Sequence, residues 1–79
     1  MQTITLKYPV ALDGREIKEI SIRRPKVKDH LAVESVSDRR SEQEIILIAN
    51  LCALPIEAIR ELDMADYKSL QGALADFFG

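Results

Sequence analysis

The longest apolar stretch of this chain runs from Ile45 to Leu54, and only Asn50 interrupts it. The stretch is too short to cross a bilayer as a helix, which takes about 20 residues. A helix that is apolar on nearly every side has to be covered by neighbouring elements or by a partner. We therefore expect the rest of the chain, or another protein, to cover this segment.

Apolar and polar residues alternate over residues 3–8, and this is the period of a half-buried strand. Asp13 and Gly14 favour a two-residue type I′ turn, since both central positions of that turn need a positive φ. We predict a two-stranded hairpin. Its first strand covers about 2–8 and 10–12, and its second strand covers about 15–23.

Pairing the strands outward from this turn indicates an irregularity in the first strand. An unbroken register sets Leu6 opposite Ser21, whereas one extra residue near Pro9 sets Leu6 opposite Ile20. Proline has no N–H for a strand ladder and suits a bulge. We predict a bulge near Pro9, with these pairs beyond it: Tyr8 with Lys18, Leu6 with Ile20, and Ile4 with Ile22.

Helical periods and helix-end signals occupy the rest of the chain. Ser41 and Glu44 have the spacing of a capping box, Pro55 suits a first helical position, and Asp63 suits an N-cap. The last helix carries a 3-4-3 apolar stripe of Tyr67, Leu70, Leu74 and Phe77. The predicted helices are 28–36, 42–53, 55–61 and 64–78.

For the first of these helices we place Val27, Leu31 and Ala32 on the inner side. Because the strands precede three to four short helices, the predicted class is α+β. We expect one small domain over residues 1–79.

Composition narrows the function classes. With 47% hydrophobic and 30% charged residues, the chain has the balance of a globular domain. A net charge of -2 gives no general attraction to nucleic acid or to an anionic membrane, and we expect neither as a partner. One cysteine excludes an internal disulfide and fits a reducing compartment.

The charge is unevenly distributed along the chain. Residues 15–40 hold eight Lys/Arg against five Asp/Glu, whereas residues 57–76 hold two against five. Two solvated faces of opposite sign explain this distribution, and so does head-to-tail self-association.

No group of side chains indicates catalysis. His30 has only Asp29 and Glu34 near it, and Cys52 lies inside the apolar run with no second cysteine. A surface histidine and a buried core thiol are the simpler interpretations. We expect no catalytic, cofactor or metal site and no enzymatic activity.

A helix-turn-helix spacing is present around Leu54-Pro55, in Ala49, Ala53 and Ile59. The second helix of that unit would present Glu57 and Glu61 to phosphates, which is the wrong sign for DNA binding. A small DNA-binding regulator is therefore the alternative function, together with a self-associating structural adaptor.

The order of several short motifs resembles a known family. They are Pro9-Val10, Asp13-Gly14, Ile22-Arg23-Arg24-Pro25, Asp29-His30-Leu31, Leu51-Cys52-Ala53-Leu54-Pro55, Glu57-Ala58-Ile59, Leu62-Asp63-Met64-Ala65-Asp66-Tyr67, Leu70-Gln71 and Phe78-Gly79. With these motifs the chain is similar to the short, E-type tail assembly chaperones of contractile-tailed bacteriophages and prophages.

This resemblance implies a non-catalytic protein of the bacterial host cytoplasm that keeps the helical tape measure protein soluble during tail morphogenesis. It also implies a longer form made by ribosomal frameshift, and a homo-oligomer is a further possibility. The residues predicted to bind a partner are Ile46, Leu47, Asn50, Leu51, Leu70, Leu74, Phe77 and Phe78. Asn50 either faces out through the one gap in the apolar ring or sets register in an apolar seam.

Overall fold

The computed structural model describes residues 1–78 and consists of an N-terminal hairpin followed by helices. The hairpin is antiparallel, and the α+β class predicted from the sequence is confirmed. The elements are β1 (Gln2–Leu12), β2 (Arg15–Ile22), α1 (Val27–Glu34), α2 (Arg40–Cys52), α3 (Ile56–Arg60) and α4 (Met64–Phe78).

The hairpin turn is the one that the sequence requires. Asp13 has φ 50° and Gly14 has φ 77°, so both central residues lie in the left-handed region. That geometry matches the right-handed twist of the flanking strands. The turn fixes the first pairs, Leu12 with Arg15 and Val10 with Ile17.

The predicted bulge lies in the right place but is larger than predicted. The register shifts between Thr5 and Val10, and beyond the shift Ile4 pairs with Ile20 and Gln2 with Ile22. Four residues of β1 therefore stand opposite one residue of β2, so the shift is three residues rather than one. Both shifts are odd, and they place the same side chains on the inner face.

Helix α4 accounts for the size of this bulge. The backbone N–H groups of Lys7 and Tyr8 donate to the two carboxylate oxygens of Asp66, at 2.9 and 3.0 Å. Asp66 is 1% exposed. A buried carboxylate needs donors, and irregular strand backbone has donors to give. Each therefore satisfies the other across the α4–β1 contact.

The core lies between the inner face of the hairpin and helices α2, α3 and α4. Its buried members are Leu6, Val10, Ile20, Ile22, Ile48, Ala49, Leu51, Ile59, Leu62, Leu70, Ala73 and Leu74. Helix α2 crosses the middle of this core, and neighbouring elements cover most of its circumference. The apolar run that dominates the sequence is thus mostly covered within the chain.

Three helix ends were predicted, with different outcomes. Pro55 is the N-cap of α3 rather than its first helical residue. Asp63 caps α4 as expected, because its carboxylate accepts from the N–H of Ala65 at 2.9 Å. The capping box at Ser41 is wrong: α2 begins at Arg40, and its N-cap, Arg39, makes no side-chain capping bond. Glu44 is drawn away by tertiary partners on α4.

Candidate protein-binding surface

The eight residues predicted to bind a partner fall into different environments. Ile46, Leu51, Leu70 and Leu74 are buried in the structure, and Leu47 and Phe77 are half-buried. Asn50 is exposed, at the one gap in the apolar ring of α2. Phe78 is 73% exposed at the end of α4. The accessible part of the set is therefore Leu47, Asn50, Phe77 and Phe78.

Helix α1 is rotated relative to the sequence prediction. Val27 is 77% exposed and Leu31 is 59% exposed. The residues that α1 buries are Asp29 and Val33. Placing Val27, Leu31 and Ala32 on the inner side was therefore wrong: all three are exposed, and a carboxylate faces inward in their place.

Three hydrogen bonds to Asp29 hold α1 in this orientation. The guanidinium of Arg23 donates to both carboxylate oxygens, at 2.7 and 2.9 Å, and the Lys26 N–H donates at 2.8 Å. Bidentate arginine–carboxylate pairs fix geometry as well as charge. The hydrogen bonds from Arg23 and from the Lys26 backbone hold the pKa of Asp29 well below its usual range. Asp29 thus stays ionised and anchors α1 with its apolar side chains turned outward.

These outward side chains border an apolar groove. The groove has a volume of about 300 Å³ and is lined by Pro25, Lys26, Val27, His30, Leu47 and Phe78. It therefore combines two exposed side chains of α1, Val27 and His30, with an exposed side chain of α4 and a half-buried side chain of α2. We call it the α1–α4 groove.

A second depression continues past His30 and Leu47. It measures about 210 Å³ and also contacts Val33, Glu34, Arg40, Gln43, Glu44 and Leu74. Because His30 and Leu47 line both, the two depressions follow one path between α1 and the α2–α4 pair. A path of this shape, apolar at its floor, is the kind that accepts an amphipathic helix.

Charge differs between the two ends of this path. At the Phe78 end Lys26 lines the groove, and the Arg24 guanidinium lies 5.8 Å from the centre of the Phe77 ring. The other end is lined by Arg40 and by two carboxylates, Glu34 and Glu44, and both carboxylates are already bound. Glu34 Oε1 lies 2.9 Å from His30 Nε2, and Glu44 accepts hydrogen bonds from α4.

The Glu44 contacts join α2 to α4 beneath the groove. The Tyr67 hydroxyl donates to Glu44 Oε1 at 2.6 Å, and the Gln71 amide donates to the same oxygen at 2.7 Å. Burial, followed by the adjacent carboxylate, raises the pKa of Tyr67. The phenol therefore remains a donor to Glu44, and the two bonds hold α2 against α4.

Of the two residues considered for catalysis or metal binding, His30 lines the α1–α4 groove, whereas Cys52 is not among its lining residues. His30 is exposed, as expected for a surface residue. Cys52 is half-buried, and burial raises its pKa to about 11, so the thiol is a weak nucleophile at neutral pH. Among residues 1–78, no three His, Cys, Asp or Glu side chains come together as a metal site.

The helix-turn-helix candidate has a short second helix. Helix α3 has five residues and ends at Arg60. Its exposed charges include Glu57 and, one residue past its end, Glu61. Ala53 at the turn has φ 55° and closes α2 in the left-handed conformation. Nothing in this unit presents a basic face to DNA.

Sequence reasoning missed Val27 and Leu31 as surface residues. Helix α1 carries two possible apolar stripes, and the one with more apolar side chains was the natural choice for the core. The available signal was Asp29, which lies at the third position of the helix and six residues after Arg23. Such an ion pair can determine the orientation of a short helix more strongly than the burial of one apolar side chain.

The chain was compared with protein families, with curated proteins and with solved structures. A family model described as phage tail assembly chaperone proteins, E, or 41 or 14, matches residues 3–79. No curated protein and no solved structure matches the chain. No helix within residues 1–78 is both long enough and apolar enough to cross a membrane.

Proposed function

Because this chain belongs to the family of phage tail assembly chaperone proteins, we propose that it binds the tape measure protein and keeps it soluble during tail assembly. A long helical protein with apolar stripes aggregates unless those stripes are covered, and a small domain can cover them reversibly. The family indicates a role as a binding protein rather than a catalyst.

The α1–α4 groove is the observation that supports this proposal. Val27 and Phe78 are largely exposed on either side of it, although a small domain has every reason to bury such side chains. The fold instead buries Asp29 and turns Val27 outward. Exposed apolar side chains bordering a groove are typical of a protein-binding site.

The proposed partners follow from the same reasoning. We propose that the chain acts in the host cytoplasm, that a longer frameshifted form shares its N-terminal fold, and that copies of either form associate along one tape measure protein. Intact-mass spectrometry of the native products tests for the longer form, which we expect as a second, heavier species that shares the N-terminal peptides of this chain.

Co-expression with the tape measure protein of the same phage tests the function itself. We expect the tape measure protein to stay in the supernatant with the chain and to pellet without it. The complex should survive high salt, because burial of apolar surface is not screened. A tape measure protein that pellets equally with and without the chain would contradict the proposal.

A salt series also separates this function from DNA binding. Phosphate contacts weaken steeply as salt rises, whereas contacts in an apolar groove do not. Retention on duplex DNA that is lost at moderate salt would favour the regulator instead.

A further inference from the structure

We infer that the α1–α4 groove selects an amphipathic helix that carries carboxylates beside its apolar stripe, at the end that contacts Phe78. This inference rests on the proposed function, since it takes the client of the chaperone to be helical. It adds which residues make the contact and which charge the client carries.

The fold leaves several apolar side chains outside the core, around the groove. Val27 and Leu31 are one helical turn apart on α1, and both point away from the core. Val27 of α1 and Phe78 of α4 both line the groove, and Leu47 contributes to its lining from α2. An aromatic and an aliphatic side chain on opposite walls are the usual anchors for a helix in a groove.

The helix α1 is held in this orientation at a cost. Turning Val27 outward means burying the carboxylate of Asp29, which is unfavourable unless it is fully bonded. Arg23 and the Lys26 N–H supply those bonds. If α1 only completed the core, its apolar stripe would be buried. The pair with Arg23 keeps that stripe exposed instead, which indicates that the exposed face has a function.

Basic side chains lie at the Phe78 end of the groove. Lys26 lines it, and Arg24 lies over the Phe77 ring beside it. The Asp29 carboxylate, which accepts the Lys26 N–H, is 7% exposed and bound to Arg23. Within residues 1–78, neither Arg24 nor Lys26 is in an ion pair. A client with carboxylates at this end is therefore attracted, and one with lysines is repelled.

Binding of helical peptides tests the inference. The probes are overlapping peptides from the helical region of the tape measure protein, and two designed amphipathic helices with the same apolar stripe. One designed helix carries glutamates beside the stripe at one end, and the other carries lysines there. We expect the glutamate version to bind about tenfold or more tightly than the lysine version at low salt.

Substitutions on the exposed walls test the apolar anchors. Val27→Ser and Phe78→Ser should each weaken binding by about tenfold, because each removes an apolar anchor. Met64→Ser is the matched control, since Met64 is also exposed but lies away from the groove. Equal binding by all three variants and the unaltered chain would overturn the assignment.

Charge reversal tests the specificity. Lys26→Glu should weaken binding of the glutamate helix and strengthen binding of the lysine helix. Lys68→Glu, on the exposed side of α4, should change neither. An identical response to the two reversals would show that only net charge matters and would remove the groove from the explanation.

The outcomes separate this inference from the proposed function. If the chain keeps the tape measure protein soluble but Val27→Ser and Phe78→Ser do so equally well, the function stands and the groove assignment fails. If the chain binds no tape measure protein, the function fails. If these substitutions abolish self-association and leave peptide binding unchanged, the occupant is a second copy, and the inference is overturned.

Discussion

At the scale of single residues, a few residues adopt a positive φ or bury a charged group, and contacts with neighbouring residues stabilise them. Asp13 and Gly14 adopt positive φ in the hairpin turn, where the residue types suit it. Ala53 also has a positive φ, at 55°, although alanine pays a steric penalty there. Ala53 and Leu54 donate to the last carbonyl groups of α2 and offset part of that penalty.

Replacing Ala53 with glycine should therefore stabilise the protein. Glycine adopts the left-handed conformation without strain, and we expect the free energy of unfolding to rise by about 0.5–1 kcal/mol. Urea unfolding followed by circular dichroism measures the change. Ala75→Gly, at an exposed position inside α4, is the control and should lower it by about 0.5–1 kcal/mol. A loss of stability in both variants would contradict the left-handed assignment of Ala53.

Asp29 makes stability depend on acid pH. Its pKa is lower in the folded chain than in the unfolded one, because the hydrogen bonds from Arg23 and from the Lys26 backbone favour the carboxylate. The unfolded state then binds the proton more readily, so this stabilisation is present above the unfolded pKa of about 4 and is lost as the pH falls below it.

Asp29→Asn should remove that part of the pH dependence. We expect the variant to be less stable than the unaltered chain at pH 7 and to show a smaller fall in stability between pH 5 and pH 2. Thermal unfolding across this range measures both quantities, with Asp38→Asn, an exposed residue outside the ion pairs of residues 1–78, as the control. Parallel pH curves for all three chains would contradict the role of the pair.

At the scale of elements, the irregular part of β1 and the first turn of α4 depend on each other. The bulge frees the N–H groups of Lys7 and Tyr8, and Asp66 binds both. Asp66 lies in the first turn of α4, where the helix dipole favours a carboxylate, but its hydrogen-bond donors are on β1. Its carboxylate instead fixes how α4 lies on the hairpin.

Removing this carboxylate should be costly. We expect Asp66→Ala to lower the free energy of unfolding by about 2–4 kcal/mol, because two hydrogen bonds to a charged group are lost and their donors are left unpaired. Asp63→Ala is the control: Asp63 is an exposed N-cap, and its loss should cost about 1 kcal/mol. Denaturant unfolding of the two variants provides the measurement. Equal losses of unfolding free energy would show that the Asp66 hydrogen bonds stabilise the fold no more than the N-cap does.

At the scale of the whole molecule, stability is distributed unevenly. Helix α2 buries four apolar side chains, three of which belong to the core, whereas α1 buries Val33 and the bonded Asp29. Segments with few buried apolar contacts open locally at a lower free energy than the rest. The wall of the groove formed by α1 is therefore the part that can adjust to a client.

Hydrogen exchange should show this difference directly. We expect the amides of α1 to exchange about tenfold or more faster than those in the centre of α2 and of α4, by local opening rather than global unfolding. Binding of a helical peptide should slow amide exchange in α1 more than in α2. Equal protection of α1 and α2 in the free chain would contradict the uneven distribution.

The sequence by itself determined the element types, the hairpin turn and the apolar stripe of α4. Each follows from local chemistry: Asp13-Gly14 permits positive φ, strand and helix periods differ, and Leu70 and Leu74 recur at helical spacing. The family followed from the order of short motifs spread along the chain. Of the residues predicted to bind a partner, Leu47 and Phe78 do line the groove, though their binding stays a prediction.

Only the tertiary structure decided the rest, because the deciding partners are distant in sequence or compete with a local one. The bulge is three residues long because Asp66, on α4, takes two N–H groups from β1. Glu44 binds Tyr67 across the fold instead of capping its own helix. In α1, local periodicity allows two orientations, and one ion pair to Arg23 selects the orientation that leaves the apolar face exposed.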